Sequence, residues 1–180
     1  KRNTASAIRF EMNLAANLVE LWQDINRGTY QPGRSIAFVV TNPVCREVFA
    51  AQFRDRIVHH LIINKLEEQM ESYFIDDSYS CRPGKGTFYG QKRVQEMIRE
   101  CSDNYTCDCW VMKIDIQSFF MSINKQLLFE CLERFVKSHY HGKDIQVLLW
   151  LIRVTVFHRP ELDCERHSPD SFWDRLPKRS

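Results

Sequence analysis

Trp110-Val-Met-Lys-Ile-Asp115-Ile-Gln-Ser-Phe-Phe120 is the stretch on which the reading of this chain turns. A short apolar run ends on a carboxylate, and an aromatic stands five positions further on. The pattern predicts a buried strand over about residues 109–115. A carboxylate at the exit of such a strand can meet a hard cation, and the backbone carbonyl of Ile116 offers a second oxygen. Aspartate also closes the turn after a strand, and the local pattern by itself favours that plainer role. One strand cannot make a sheet, so its partners are expected elsewhere in the fold or outside this chain.

Upstream, Leu14, Leu18, Leu21, Trp22 and Ile25 share one helical face, which Gly28 ends. Tyr30-Gln-Pro-Gly33 reads as a turn. Ile36-Ala-Phe-Val-Val40 reads as a strand that Asn42-Pro43 breaks, and Arg46-Glu-Val-Phe49 as the second arm of a loose hairpin. From about Arg54 the period becomes helical, with Ile57, Val58, Leu61, Ile62, Leu66 and Met70 as the apolar stripe. Residues 74–87 read as a polar loop, and Val94, Met97 and Ile98 as part of a helix starting near Thr87. Downstream of the central run, Leu127, Leu128, Cys131, Leu132 and Phe135 predict a helix. A second one carries Leu148, Leu149, Ile152 and Val156, with Asp144 as its cap. The tail after His158 reads as loop. The order gives an α+β fold, mostly helical.

The totals exclude several classes. At 180 residues, with 44% hydrophobic and 27% charged residues, the chain is long enough for a real core. A net charge of +2 announces no polyanion partner, but arginines and lysines cluster at 46–56 and 82–93. Lys1-Arg-Asn-Thr4 leads into no signal-peptide core, and no run approaches a membrane span. With seven cysteines, an odd number, the expectation is reduced thiols in a cytoplasmic protein. Cys101, Cys107 and Cys109 lack zinc-ribbon spacing, and His59-His60 and His139-x-His141 lack a ligand frame.

Two further segments bear on chemistry. Arg46, Arg54 and Arg56 could bind phosphate oxygens bidentately, or pair with Glu47 or Asp55. Ser78-Tyr-Ser-Cys-Arg-Pro-Gly-Lys-Gly-Thr87 could offer backbone N–H groups to a phosphate, although it lacks P-loop spacing. Their order resembles one family. Gly28-Thr-Tyr-Gln-Pro-Gly33 followed by Arg46 to His60 is similar to the first fingers motif of bacterial reverse transcriptases of the group II intron, retron and diversity-generating type. Asp76 to Thr87 resembles the second fingers motif, and Val111 to Phe120 resembles the first catalytic motif of the palm.

The resemblance implies fingers over residues 1–108 and a partial palm over 109–180, truncated before the remaining catalytic motifs. It implies an RNA-directed DNA polymerase acting on an RNA template, a DNA or RNA primer and dNTPs. Mg²⁺ would serve it, with Mn²⁺ as the alternative ion. Asp115 and the Ile116 carbonyl would hold metal. Arg46 would contact the triphosphate and Phe120 would exclude a 2′-hydroxyl. Arg54, Arg56, Arg82 and Lys85 would meet phosphate or nucleic acid. The chain departs from the family in two places. No lysine precedes Arg46 within Thr41–Cys45, and the only Asp-Asp pair, Asp76-Asp77, precedes Asp115 instead of following it in a Tyr/Phe-x-Asp-Asp motif. The piece alone is therefore expected to be inactive, and an exposed half-palm could dimerise through its apolar edge. The alternative of another class is a nucleic-acid-binding module without chemistry, holding RNA through basic helices and Tyr79, Phe88 and Tyr89. A primer-dependent RNA polymerase is disfavoured by Phe120, which would block ribose.

Overall fold

The computed structural model describes residues 4–116 and 119–176. Gln117 and Ser118 of the central motif, and Pro177 of the tail, lie outside them. The elements in order are α1 (Ala5–Met12), α2 (Leu14–Arg27), β1 (Ser35–Val40), β2 (Arg46–Ala50), α3 (Phe53–Tyr73), α4 (Thr87–Cys101), α5 (Phe119–Ser122), α6 (Lys125–His139), α7 (Ile145–Phe157), β3 (Cys164–Arg166) and α8 (Asp170–Trp173). The fold is mostly helical α+β with a small mixed sheet. The chain divides into two compact units, Lys1–Lys65 with Lys125–Ser180, and Leu66–Asn124. This division differs from the 108/109 boundary read from the sequence.

In the first unit the sheet order is β2-β1-β3, with β1 antiparallel to β2 and parallel to β3. The β-branched run makes β1 the central strand. Its alternate residues Ser35, Ala37 and Val39 are buried, as a two-residue period requires. The tail after His158 is a correction: Cys164–Arg166 pairs with Ser35–Ala37. His167 N–H then donates to the Ala37 carbonyl at 2.9 Å, and Val39 N–H to Ser168 Oγ at 2.9 Å. The charged sequence hid this strand, because backbone pairing with β1 rather than side-chain pattern creates it.

Helix α2 ends at Gly28, whose φ of 69° is left-handed and returns its N–H to the Ile25 carbonyl. Of the stripe predicted for α2 only Leu21 is buried; Leu14, Leu18 and Trp22 face solvent. Helix α1 has no counterpart among the expectations. Thr4 caps it, and its Ser6 hydroxyl accepts the Phe53 N–H at the start of α3. In α3, Val58, Ile62 and Leu66 are buried as predicted. In α6 the buried face is Phe129 and Val136, with Leu127 and Cys131 exposed, so that face is rotated from the predicted one. Helix α7 buries Leu148, Leu149, Leu151 and Ile152, each worth roughly 1.5–3 kcal/mol of burial. Asp144 stands at its N-cap position, but its side chain does not cap. The carboxylate instead accepts from Tyr140 Oη at 2.7 Å and pairs with Lys65 at 2.6 Å. The Lys65 and Tyr140 hydrogen bonds hold it below the usual carboxylate range.

The second unit is helical, and the strand expected at 109–115 is not formed there. Residues 108–116 carry no regular secondary structure. Trp110 is 92% exposed, and Val111, Met112 and Ile114 also face solvent. The reason is physical: among the described residues this unit holds no other strand, and an unpaired strand leaves its backbone groups to water.

Candidate functional site

Asp115 lies in this exposed segment of the second unit. Its Oδ1 accepts the N–H of Ile116 at 3.0 Å, and among the described residues it makes no ion pair. The carboxylate is open to solvent, and so open to a cation. Phe120, on α5, is 85% exposed and rests edge-on against Phe119, with centroids 5.3 Å apart. Asp115, Ile116 and Phe120 are thus all presented outward from one short segment. No group of three or more His, Cys, Asp or Glu side chains suited to a metal occurs among the described residues.

Arg82 and Lys85 belong to the same unit but serve the loop that contains them. Arg82 is only 9% exposed. Its Nε and Nη2 grip Glu71 at 2.8 and 2.7 Å. Its Nη1 donates to the carbonyls of Ile75 and Ser78 at 2.6 and 2.9 Å, and its guanidinium lies over Phe74. The Arg82 hydrogen bond holds Glu71 below the usual carboxylate range. Lys85 donates to the Asp76 carbonyl and lies near the Tyr89 ring. Asp77 of the misplaced Asp-Asp pair accepts from Tyr79 and Arg93, which depress its pKa in that order. One arginine therefore ties helix α3 to the loop at three points. Arg82→Ala is expected to raise the rate of limited proteolysis between Ile75 and Lys85 by about an order of magnitude, while helix content by circular dichroism stays nearly constant. An unchanged cleavage rate would refute that role.

In the first unit, Arg46 opens β2 opposite Val40, at the exposed end of the hairpin. Arg54 is engaged: it pairs with Asp24, reaches the Gln31 carbonyl and stacks over the Tyr30 ring at 5.0 Å. Arg56 lies over Phe53 at 5.4 Å and donates to Thr4 Oγ1 at 3.3 Å. Of the three arginines grouped in the sequence, Arg46 alone is exposed.

Asp55 is the residue that sequence reading undervalued. It is 2% exposed. Its Oδ1 accepts from Tyr30 Oη at 2.8 Å and its Oδ2 from Gly33 N–H at 3.0 Å. A Cβ on Gly33 would come within 3.3 Å of that Oδ2, so a larger residue there would push the carboxylate back by a few tenths of an ångström. Burial first, and then the Asp55 carboxylate, push the Tyr30 phenol far above its usual range. The signal was legible in principle: Asp55 is in register with Val58, Ile62 and Leu66 on the buried stripe of α3.

Asp55 also lines a cleft of about 280 Å³ with Ser35, His59, Lys125, Thr155 and His158. Lys125 Nζ donates to the His158 carbonyl, and the Thr155 hydroxyl is buried without a partner among the described residues. Burial lowers the pKa of His59. Asp55 opposes that shift, while His158 and His60 add to it. A depressed histidine binds fewer protons folded than unfolded. Its penalty is therefore absent above about pH 6.5 and grows as pH falls through and below that value. His59→Gln is expected to flatten the loss of urea stability between about pH 7 and pH 5 relative to the parent. Parallel curves for the two proteins would contradict this.

By sequence, the chain is distantly similar to a bacterial protein and to an intron maturase, both longer than it. No family model matches it. The relatives are Protein YkfC of Escherichia coli (strain K12) and Nuclear intron maturase 1, mitochondrial, of Arabidopsis thaliana. The first is 27% identical over 142 residues, which cover 78% of this chain and 36% of the relative. The second is 28% identical over 86 residues, 48% of this chain and 11% of the relative. The chain thus spans about a third of the one protein's length and about a tenth of the other's. No helix among the described residues is long and apolar enough to cross a membrane.

Proposed function

We propose that these 180 residues are the fingers and partial palm of an RNA-directed DNA polymerase, which extends a DNA or RNA primer on an RNA template with dNTPs. The observation that carries the reading is the outward-facing pair of Asp115 and Phe120 within the Val111–Phe120 motif. The distant similarity to an intron maturase supports it. In this reading the Asp115 carboxylate and the Ile116 carbonyl hold a hard divalent ion, together with carboxylates from chain outside these residues. Oxygen donors of this kind suit Mg²⁺, with Mn²⁺ as substitute, and a bound ion neutralises charge on the reacting phosphates. Arg46 binds triphosphate oxygens. Phe120 fills the space a ribose 2′-hydroxyl would need. Arg54, Arg56, Arg82 and Lys85 act through positioning, since their side chains are engaged within their own units.

The 180 residues alone are expected to incorporate no dNTP on poly(rA)/oligo(dT), because one carboxylate cannot do the work of a set. In the longer protein, Phe120→Ala is expected to raise ribonucleotide use relative to deoxynucleotide by about 10–200-fold, the range for one steric contact. Unaltered selectivity would remove Phe120 from the sugar site. A second reading rests on α4 and its approach. Lys92 lies over Phe88 at 4.9 Å, and Tyr79 packs against Tyr89 with centroids 5.7 Å apart, a surface suited to stacking and phosphate contact. A module of that kind binds single-stranded RNA, and its longer parent extends no primer.

A further inference from the structure

Three elements of the first unit interrupt their own apolar period, and the interruptions meet in one place. The inward positions of β1 are Ser35, Ala37 and Val39, and the first of them is a serine, 3% exposed. On α3, Asp55 and His59 are in register with the buried Ile62 and Leu66. On α7, Thr155 follows the buried Leu148, Leu151 and Ile152 at helical spacing. Polar side chains at positions whose period belongs to the core are the local conflicts expected at functional sites. All four line the cleft of about 280 Å³ that Lys125 and His158 also line.

The fold uses only part of this polarity. Both Asp55 oxygens are occupied, by Tyr30 Oη and Gly33 N–H. Ser35 Oγ stands 3.4 Å from His158 Nε2. The Thr155 hydroxyl and the His59 ring make no hydrogen bond among the described residues, and a buried hydroxyl left unpaired is costly. Burial lowers the pKa of His59, so its neutral ring offers one N–H. Lys125 spends one of its three N–H groups on the His158 carbonyl. Glu161, whose charge acts on Lys125, is itself held by Arg159 Nε at 2.8 Å. The cleft therefore combines unspent donors and one ammonium with a carboxylate that is already satisfied. No group of three metal-ligating side chains occurs among the described residues. The volume lies just below the ~300–1,000 Å³ typical of sites for drug-sized ligands, which favours a few heavy atoms over a nucleotide.

We propose that this cleft binds a small oxyanion, of phosphate or short-chain carboxylate size, through the Lys125 ammonium, the Ser35 and Thr155 hydroxyls and the His59 ring N–H. Oxyanions accept from several donors at once, and charge assistance from the ammonium strengthens those bonds. Phe49 and Val156 give the cleft an apolar wall, against which the carbon chain of a carboxylate could lie. None of the residues given a role in nucleotidyl transfer lines this cleft, so the two proposals stand or fall separately.

The test is the thermal midpoint of the 180-residue chain, titrated near neutral pH with inorganic phosphate or with butyrate, chloride holding the ionic strength constant. One of the two anions is expected to raise the midpoint along a saturating curve, and which one does so identifies the source. Thr155→Val removes the hydroxyl at nearly constant shape. It should leave the anion-free midpoint unchanged or higher, because an unpaired buried hydroxyl is lost, and weaken the apparent affinity by about tenfold. Lys125→Met should weaken it at least as much; if that variant does not fold, Thr155→Val decides alone. A rise that stays linear and is equal in Thr155→Val is a general salt effect and would overturn the proposal. So would the absence of any rise with both anions, or a saturating rise that Thr155→Val leaves unaltered.

Discussion

Asp115→Ala in the longer protein is expected to lower dNTP incorporation by about three orders of magnitude, the loss that follows from several kcal/mol of missing charge stabilisation at the metal. The fold should not notice. Asp115 is exposed, its carboxylate bonds only to the adjacent backbone N–H among the described residues, and no packed neighbour depends on it. The thermal midpoint is therefore expected to stay within about a degree or two. This combination separates the metal role from the turn role that the local sequence favours. A turn residue would give a stability loss with proportionate activity. Retained primer extension by Asp115→Ala would sink the metal assignment. A shifted midpoint with a parallel loss of activity would return the residue to the turn.

Asp55→Ala should do the reverse and act on the fold. It removes the acceptor of the buried Tyr30 hydroxyl and of the Gly33 N–H, and it leaves Arg54 without the carboxylate 4.0 Å away. Unfilled hydrogen-bonding groups in a buried site are the expensive case, so a loss of about 3–5 kcal/mol in urea unfolding is expected. Asp55→Asn keeps an oxygen acceptor and a similar shape, and should cost about half as much or less. Equal losses for Asn and Ala would mean that charge, and not the two hydrogen bonds, is what the site needs. A loss under about 1 kcal/mol for Ala would show that the Tyr30–Asp55–Gly33 network contributes little.

Elements with a strong local period were readable before the fold. Ile36–Val40 became the central strand because β-branched residues fit a pleated surface buried on alternate sides. Gly28 stopped α2 because the left-handed position favours glycine. Cys164–Arg166 could not be read, since its strand character comes from a partner far away in sequence. The run at 109–115 failed in the opposite direction. Its pattern is that of a buried strand, but a strand exists only with a neighbour to pair with, and the residues around it supply none. The buried face of α6 was misread because both candidate faces carry leucine and phenylalanine, and only the packing of Phe129 against Phe157 at 5.7 Å selects between them.

For the candidate site, which of the named side chains are engaged within the fold was not legible in the sequence. Asp115, Ile116, Phe120 and Arg46 are all presented to solvent. Arg54 and Arg82 have the same side chain as Arg46, yet they are drawn into internal partners. A guanidinium satisfied by carboxylate and carbonyl oxygens has little left to offer a phosphate. Sequence shows an arginine; only the surrounding oxygens decide whether it recognises a ligand or holds a loop.

The central claim is that Asp115 belongs to a nucleotidyl-transfer site in a longer RNA-directed DNA polymerase. The most direct measurement is primer extension by that longer protein on poly(rA)/oligo(dT), with dTTP and Mg²⁺, beside its Asp115→Ala variant. The account predicts extension that chelation of the metal stops and that the variant lacks, with RNA binding retained in both. RNA binding without any extension by the parent would contradict it and leave the non-catalytic binding module in its place.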